Sequence, residues 1–181
     1  MNKENIKTYN TKPIDGNRLE KEMATYELLE KLDIPYTRVD HKAAFTVEDC
    51  PEIESVLGVE ICKNLFLRNG SKSEFYLLVL PGNKKFTKDV SKQIGCSRLS
   101  FAEADYMEKY LNITPGSVSI LGLAYDTDHK IHLLMDKEIV EAELFGCHPC
   151  INTSSLKMKT SDILRKFLQY TGHEPVIVEM E

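Results

Sequence analysis

Lys63-Asn64-Leu65-Phe66-Leu67-Arg68, then Asn69-Gly70, then Phe75-Tyr76-Leu77-Leu78-Val79-Leu80 is the stretch from which the fold can be read. Leu65 to Arg68 and Phe75 to Leu80 are short apolar runs suited to a pleated strand, and Asn-Gly between them favours the positive φ of a tight hairpin turn. They are expected to pair antiparallel. Phe75 to Leu80 is also the longest apolar run, far short of the ~20 residues a bilayer span needs.

Upstream, Leu19, Met23, Tyr26 and Leu29 recur at helical spacing between Arg18 and Leu32, with Asp15 or Asn17 available as a cap. Tyr36 to Val39 reads as a short strand running into Asp40-His41, and a second helix is expected from Val47 to Leu57, stopped by Gly58. Downstream, Thr87 suits the cap of a helix ending near Gly95, and Ser100 with Glu103 has the spacing of a capping box for a helix to Leu111. Ser117 to Tyr125 and Lys130 to Met135 read as a second hairpin around Asp126-Thr127-Asp128-His129, and Ile151 as the start of a short strand. Ser161 to Tyr170 is helical by its apolar face, and Val176 to Val178 returns as a strand. Hairpin signals outnumber strand-helix-strand crossovers. The expected fold class is therefore α/β of the α+β type, one domain with a mixed, largely antiparallel central sheet flanked by helices. Residues 1–17, polar and without periodicity, read as a loose arm before a domain over 18–181.

The chain has 181 residues, 42% hydrophobic and 28% charged, which suits one globular domain and excludes a disordered or disulfide-scaffold class. A net charge of −5 excludes a generally basic nucleic-acid coat. The opening MNKENIKTYN has no apolar core of a secretory leader, so a cytoplasmic location with five reduced cysteines is expected.

Cys147-His148-Pro149-Cys150 is the most conspicuous cluster, open to reading as a redox dithiol, half a zinc site or a loop begun by Gly146. Zinc would need a second close ligand pair, whereas Cys50, Cys62 and Cys96 are scattered. A reactive dithiol would need a following helix to lower its thiol pKa, and Ile151-Asn152-Thr153-Ser154-Ser155 is no helix start. Asp126, Asp128 and His129 are accounted for by a turn. Lys63 is either a solvated charge at a strand end or a functional cation. Lys84, Lys85, Lys88, Lys92 and Arg98 stand against Asp89 alone, a local +4 that is either a solvated face or a phosphate-contacting stripe. Motifs for nucleotide hydrolysis, dinucleotide binding, serine hydrolysis and zinc proteolysis are missing.

Taken in order, His41 with Phe45-Thr46-Val47-Glu48, Lys63-Asn64-Leu65-Phe66-Leu67-Arg68, Pro81-Gly82-Asn83-Lys84-Lys85, Gly146-Cys147-His148-Pro149 with Asn152-Thr153, and Gly172-His173-Glu174-Pro175 resemble the YbaK/ProX family. These are relatives of the editing domain inserted in bacterial prolyl-tRNA synthetases, and the resemblance, over roughly residues 18–180, is strongest to the branch that clears alanine from tRNA(Pro). It implies a trans-editing deacylase that hydrolyses the ester of mischarged tRNA(Pro), above all Ala-tRNA(Pro), with no metal or other cofactor and no covalent enzyme intermediate. Alternatives are a deacylase for Cys or Ser, or a non-catalytic module that binds tRNA or a synthetase.

By the same resemblance Lys63, Gly146 and His148 are catalytic, and Phe45, Thr46, Asn64, Pro149, Asn152, Thr153 and Ser154 bind substrate. Lys84, Lys85, Lys88 and Lys92 are the candidates for tRNA contact. Mischarged tRNA(Pro) and a prolyl-tRNA synthetase are the implied partners, with neither DNA nor membrane among them. Cys147, Cys150 and Ser154-Ser155 depart from the family pattern of bulkier apolar residues and threonines, which bears on amino-acid preference. The chemistry suits such residues: an aminoacyl ester is already activated, so holding its carbonyl, placing a water and stabilising the oxyanion suffice. A pocket cannot exclude a smaller side chain by more than roughly 1–3 kcal/mol per missing methylene, so a second sieve is needed.

Overall fold

The computed structural model describes residues 6–43 and 51–180. In chain order the elements are β1 (Thr8–Tyr9), α1 (Glu20–Lys31), β2 (Thr37–Asp40), α2 (Pro51–Leu57), β3 (Lys63–Asn69), β4 (Phe75–Leu80), α3 (Asp89–Gln93), β5 (Leu99–Phe101) and α4 (Ala104–Leu111). A 3₁₀ segment (Ile120–Tyr125) follows, then β6 (Ile131–Asp136), α5 (Lys137–Glu141), β7 (Leu144–Cys147) and β8 (Ser154–Lys159). Last come α6 (Thr160–Asp162), a π-helical turn (Ile163–Phe167), α7 (Leu168–Thr171) and β9 (Val176–Val178).

The β3–β4 hairpin forms as expected, with Lys63 opposite Leu80 and Arg68 opposite Phe75. Every residue of β4 is buried because both faces of the strand are covered. Its alternation feeds two cores. Phe75, Leu77 and Val79 join Phe66, Leu133 and Met135 on one side, and Tyr76, Leu78 and Leu80 join Leu67, Leu134 and Val178 on the other. The five-stranded sheet runs β5-β3-β4-β6-β9, antiparallel across β5, β3 and β4 and parallel from β4 through β6 to β9.

A single central sheet was the expectation, and the structure divides it in two within the same mixed α/β class. β1-β2-β8-β7 form a second, wholly antiparallel sheet of four strands. A parallel bridge between Ile61 and Gly146 stitches the two sheets together. α1 lays Tyr26 and Leu29 on the larger core, while α2 packs Ile53 and Leu57 against Val39 and Ile61. Among the described residues no helix is long and apolar enough to cross a membrane.

Several local expectations are corrected. Residues 1–17 are not uniformly a loose arm, since Thr8 and Tyr9 pair with Val39 and Arg38. Leu19 precedes α1 without any side-chain cap, so neither Asp15 nor Asn17 fills that role. The positive φ of the first hairpin falls on Lys72 (57°), not on Asn69-Gly70, because the Asn69 side chain organises the loop by accepting from Ser73 N and Glu74 N. The α3 helix has Lys88, not Thr87, at its cap position. Ser100 lies in β5, and Glu103 binds Arg68 and Lys72 instead of closing a capping box.

Ser117 to Tyr125 is not a strand. Ile120, Leu121 and Leu123 are all buried in the 3₁₀ segment, a short apolar run whose periodicity cannot separate strand from helix. Asp126 then accepts from Lys130 N and Ile131 N, so the chain turns into β6 beside β4 and not beside its own precursor. Ile151 starts no strand. The second helix is described from Pro51, and its expected first turn from Val47 lies outside the described residues.

Candidate active site

The stitch between the sheets is the centre of the candidate site. Cys62 N–H donates to the Gly146 carbonyl at 2.9 Å. Lys63 and Asn64 leave this junction along β3, while Cys147 and His148 leave it from β7. Gly146 is therefore inside a strand, not at the start of a loop. A side chain there would collide with the Glu60 backbone carbonyl, so only glycine lets the two backbones approach. Its own carbonyl accepts from Cys62 N–H, which fixes the glycine in the ladder between the sheets.

Lys63 pairs with Leu80 in the ladder, and its Nζ donates to the Lys84 carbonyl at 2.8 Å. One of the three ammonium protons is thereby fixed and the side chain remains partly accessible. Asn64 Nδ2 donates to the Cys62 carbonyl (3.1 Å), and its Oδ1 is buried with no partner among the described residues.

Pairing of β2 with β8 and of β8 with β7 brings His41, Ser155 and His148 to one end of the smaller sheet. His41 N–H donates to the Thr153 carbonyl at 3.0 Å, extending the ladder past Asp40 and Ser154. His41 Nδ1 meets the Lys42 carbonyl (2.7 Å) and Nε2 meets Ser155 Oγ (2.9 Å). His148 Nδ1 meets the Ser154 carbonyl (3.0 Å) and Ser155 Oγ (3.3 Å). Burial pushes both imidazoles below the ordinary histidine pKa, and for His148 the neighbouring His41 adds to the effect.

Ser154 and Ser155 point to opposite faces of β8, as successive strand residues must. Ser154 is fully buried and is thus not a substrate contact as expected. Its hydroxyl lies within hydrogen-bond reach of Tyr26 OH (3.1 Å), the Val39 carbonyl (3.0 Å) and Asp40 Oδ1 (2.9 Å). Asp40 in turn binds Arg18 (2.8 Å) and Arg38. Burial works to raise the Asp40 pKa, but hydrogen bonds from Arg18, Arg38 and Ser154 hold its carboxyl below the usual value. This polar network anchors the strand ends that carry the histidines.

Asn152 and Thr153 line a separate polar depression of about 370 Å³ with Arg18, Lys21, Glu22 and Ser117. Pro149 is buried. Phe45 and Thr46 lie outside the described residues. Cys147 and Cys150 are fully buried, and burial pushes Cys150 up to about 11 and Cys147 well above its ordinary value, which removes the thiolate character a redox dithiol needs.

The basic stripe does not act as a unit. Lys84 is drawn to the buried Asp136 (3.2 Å) and to Glu138 (2.8 Å), and Lys92 pairs with Asp89 (2.8 Å), whereas Lys85 and Lys88 are exposed. Sequence reasoning tied Ser155 only to amino-acid preference and gave no role to the Arg18–Asp40–Arg38 cluster. The available signal was two adjacent hydroxyls at the head of β8, ahead of the alternating Leu156-Lys157-Met158-Lys159.

Residues 41–166 match the aminoacyl-tRNA editing domain model. The chain is 30% identical over 163 residues to the prolyl-tRNA editing protein ProX of Acetoanaerobium sticklandii, covering 90% of this chain and 99% of that protein. It is 31% identical over 172 residues to the prolyl-tRNA synthetase associated domain-containing protein 1 of Danio rerio, covering 93% and 90% of the two chains. The fold is shared with a solved structure described as a candidate trans-editing enzyme for prolyl tRNA synthetase, at a TM-score of 0.67 and 13% identity over 91% of this chain and 99% of that one. The match across both candidate motifs and both sheets means that the chain belongs to the aminoacyl-tRNA editing domain family, in its YbaK/ProX branch, the hydrolases that deacylate mischarged tRNA.

Proposed function

We propose that this chain is a trans-editing deacylase that hydrolyses the ester of mischarged tRNA(Pro), with alanine as its preferred amino acid. The observation that carries the reading is the convergence of Lys63, Asn64 and His148 on the Cys62–Gly146 hydrogen bond, which brings residues far apart in sequence to one junction. Near-complete coverage of a relative named as a prolyl-tRNA editing protein supports tRNA(Pro) as the substrate.

Lys63, held on the Lys84 carbonyl, has two remaining N–H donors for a phosphate or ribose oxygen of the terminal nucleotide. His148 presents a neutral ring suited to holding a water beside the ester. Backbone N–H groups of the turn after β7 are the donors for the oxyanion. A prolyl-tRNA synthetase is the partner that supplies the misacylated product, and the cytoplasm is the place of action. The bland alternative, a module that only binds tRNA, gives no reason for a half-buried, hydrogen-bonded histidine pair at the same junction as the lysine.

Purified protein incubated with Ala-, Ser-, Cys- and Pro-charged tRNA(Pro) tests the reading. Fast release of alanine with proline spared is the expected result. Preference for serine or cysteine would reassign the amino acid, and tight binding with no hydrolysis would leave a binding module.

A further inference from the structure

The contacts around Ser155 assign every proton in a short hydrogen-bond chain. A carbonyl oxygen can only accept, so His41 Nδ1, 2.7 Å from the Lys42 carbonyl, carries a proton. The same holds for His148 Nδ1, 3.0 Å from the Ser154 carbonyl. In the neutral rings each Nε2 is then a lone pair. Ser155 Oγ, 2.9 Å from His41 Nε2, must donate there, and its own lone pairs face the His148 Nδ1–H at 3.3 Å. The protons thus run one way, from His148 through Ser155 to His41 and on to the Lys42 carbonyl.

The two rings do not stack: their centroids are 6.2 Å apart and tilted by 57°, so the Ser155 hydroxyl is what joins them. Ser155 is fully buried, and water cannot take over the link. The geometry points to Ser155 and His41 as positioning residues for His148, fixing its ring plane and keeping its Nε2 as an acceptor for the water that attacks the ester. This rests on the editing reaction proposed above. His148 is the group that meets the water, and the other two act only through it. The arrangement is the protein analogue of an orienting group behind a catalytic imidazole, where the bond made by one ring nitrogen sets the state of the other.

The test combines spectroscopy on the uncharged protein with kinetics. Imidazole ¹⁵N spectra at neutral pH are expected to show His41 and His148 both protonated at Nδ1 and bare at Nε2. Either ring in the opposite tautomer overturns the chain of donors, and this measurement needs no variant. In single-turnover hydrolysis of saturating Ala-tRNA(Pro), Ser155→Ala and His41→Ala should each lower the rate roughly 10- to 100-fold with half-saturating tRNA unchanged. The double variant should be no slower than the slower single one, and Ser155→Thr should recover most of the rate. Losses that multiply in the double variant, or that fall on tRNA affinity alone, overturn the proposal. Active wild-type protein with unaffected variants overturns the relay alone, while wild-type protein inert on all four charged tRNAs overturns the editing reading and the relay's purpose with it.

Discussion

Lys63 donates to the backbone carbonyl of Lys84 at 2.8 Å while the Lys84 ammonium turns away from it into Asp136 and Glu138. The two ammonium groups therefore stand in different environments. Lys63 keeps a partly accessible ammonium, and Lys84 is held by two carboxylates while its carbonyl accepts from Lys63. Replacing Lys63 with alanine removes one partly exposed hydrogen bond, so stability should change by no more than about 1 kcal/mol. Deacylation should fall roughly 100-fold or more if the ammonium meets charge in the reacting complex. Single-turnover rates beside a denaturant melt check both halves, and a folded variant with wild-type turnover contradicts the role.

For the basic stripe, Lys84→Gln is expected to act on stability. The Asp136 carboxylate would lose its cation but keep the N–H groups of Glu138 and Met180, a loss of about 1–3 kcal/mol. Lys85, Lys88 and Lys92 are exposed, and if they meet the acceptor stem, their replacement by glutamine should weaken every tRNA alike. The slope of log affinity against log salt should then flatten by about 0.7–0.9 for each phosphate that is no longer neutralised. An unchanged slope would mark them as solvated charges.

Gly146→Ala should be among the more damaging single changes near the site. The added methyl meets the Glu60 backbone, which cannot swing aside like a side chain, so overpacking of about 1–3 kcal/mol is expected. Because the same movement opens the Cys62–Gly146 stitch, activity per folded molecule should fall as well. Urea melts and single-turnover rates measured on the same samples separate the two effects.

Cys147→Ser with Cys150→Ser should lower stability, since each more polar hydroxyl enters a fully buried place, at a cost of about 1–3 kcal/mol less whatever Ser119 and Thr25 return by hydrogen bonding. The rate of the folded fraction should be retained and chelators should have no effect. Activity lost on chelation, or zinc bound stoichiometrically, would contradict this.

Acidification bears on the histidine pair. The folded state holds His41 and His148 neutral to a lower pH than the unfolded chain, whose rings titrate near 6.5. Between the depressed values and 6.5 the unfolded chain binds more protons, so stability is full above that window and is lost as pH falls through it. Melting temperature should drop between neutral pH and the acid side of 6.5, and less in a His41→Asn, His148→Asn variant. The acid limb of the single-turnover rate should likewise lie below 6.5. A rate already falling above that value would show that His148 is not held neutral.

Sequence by itself determined the β3–β4 hairpin, the helix over Tyr26 and Leu29, the C-terminal helix with its returning strand and, through the ordered motifs, the family. Each of these is written in neighbouring residues: period, length and turn chemistry are local properties. Only tertiary structure decided that Lys84 is a buried-carboxylate partner, that Gly146 is a strand residue under Glu60, that Ser154 is an anchor, and that Ser155 joins His41 to His148. It also decided that β6 lies parallel to β4. Those outcomes depend on strand register and on which backbone approaches which across more than a hundred residues, and a one-residue slip of β8 would exchange Ser154 for Ser155 and undo the site.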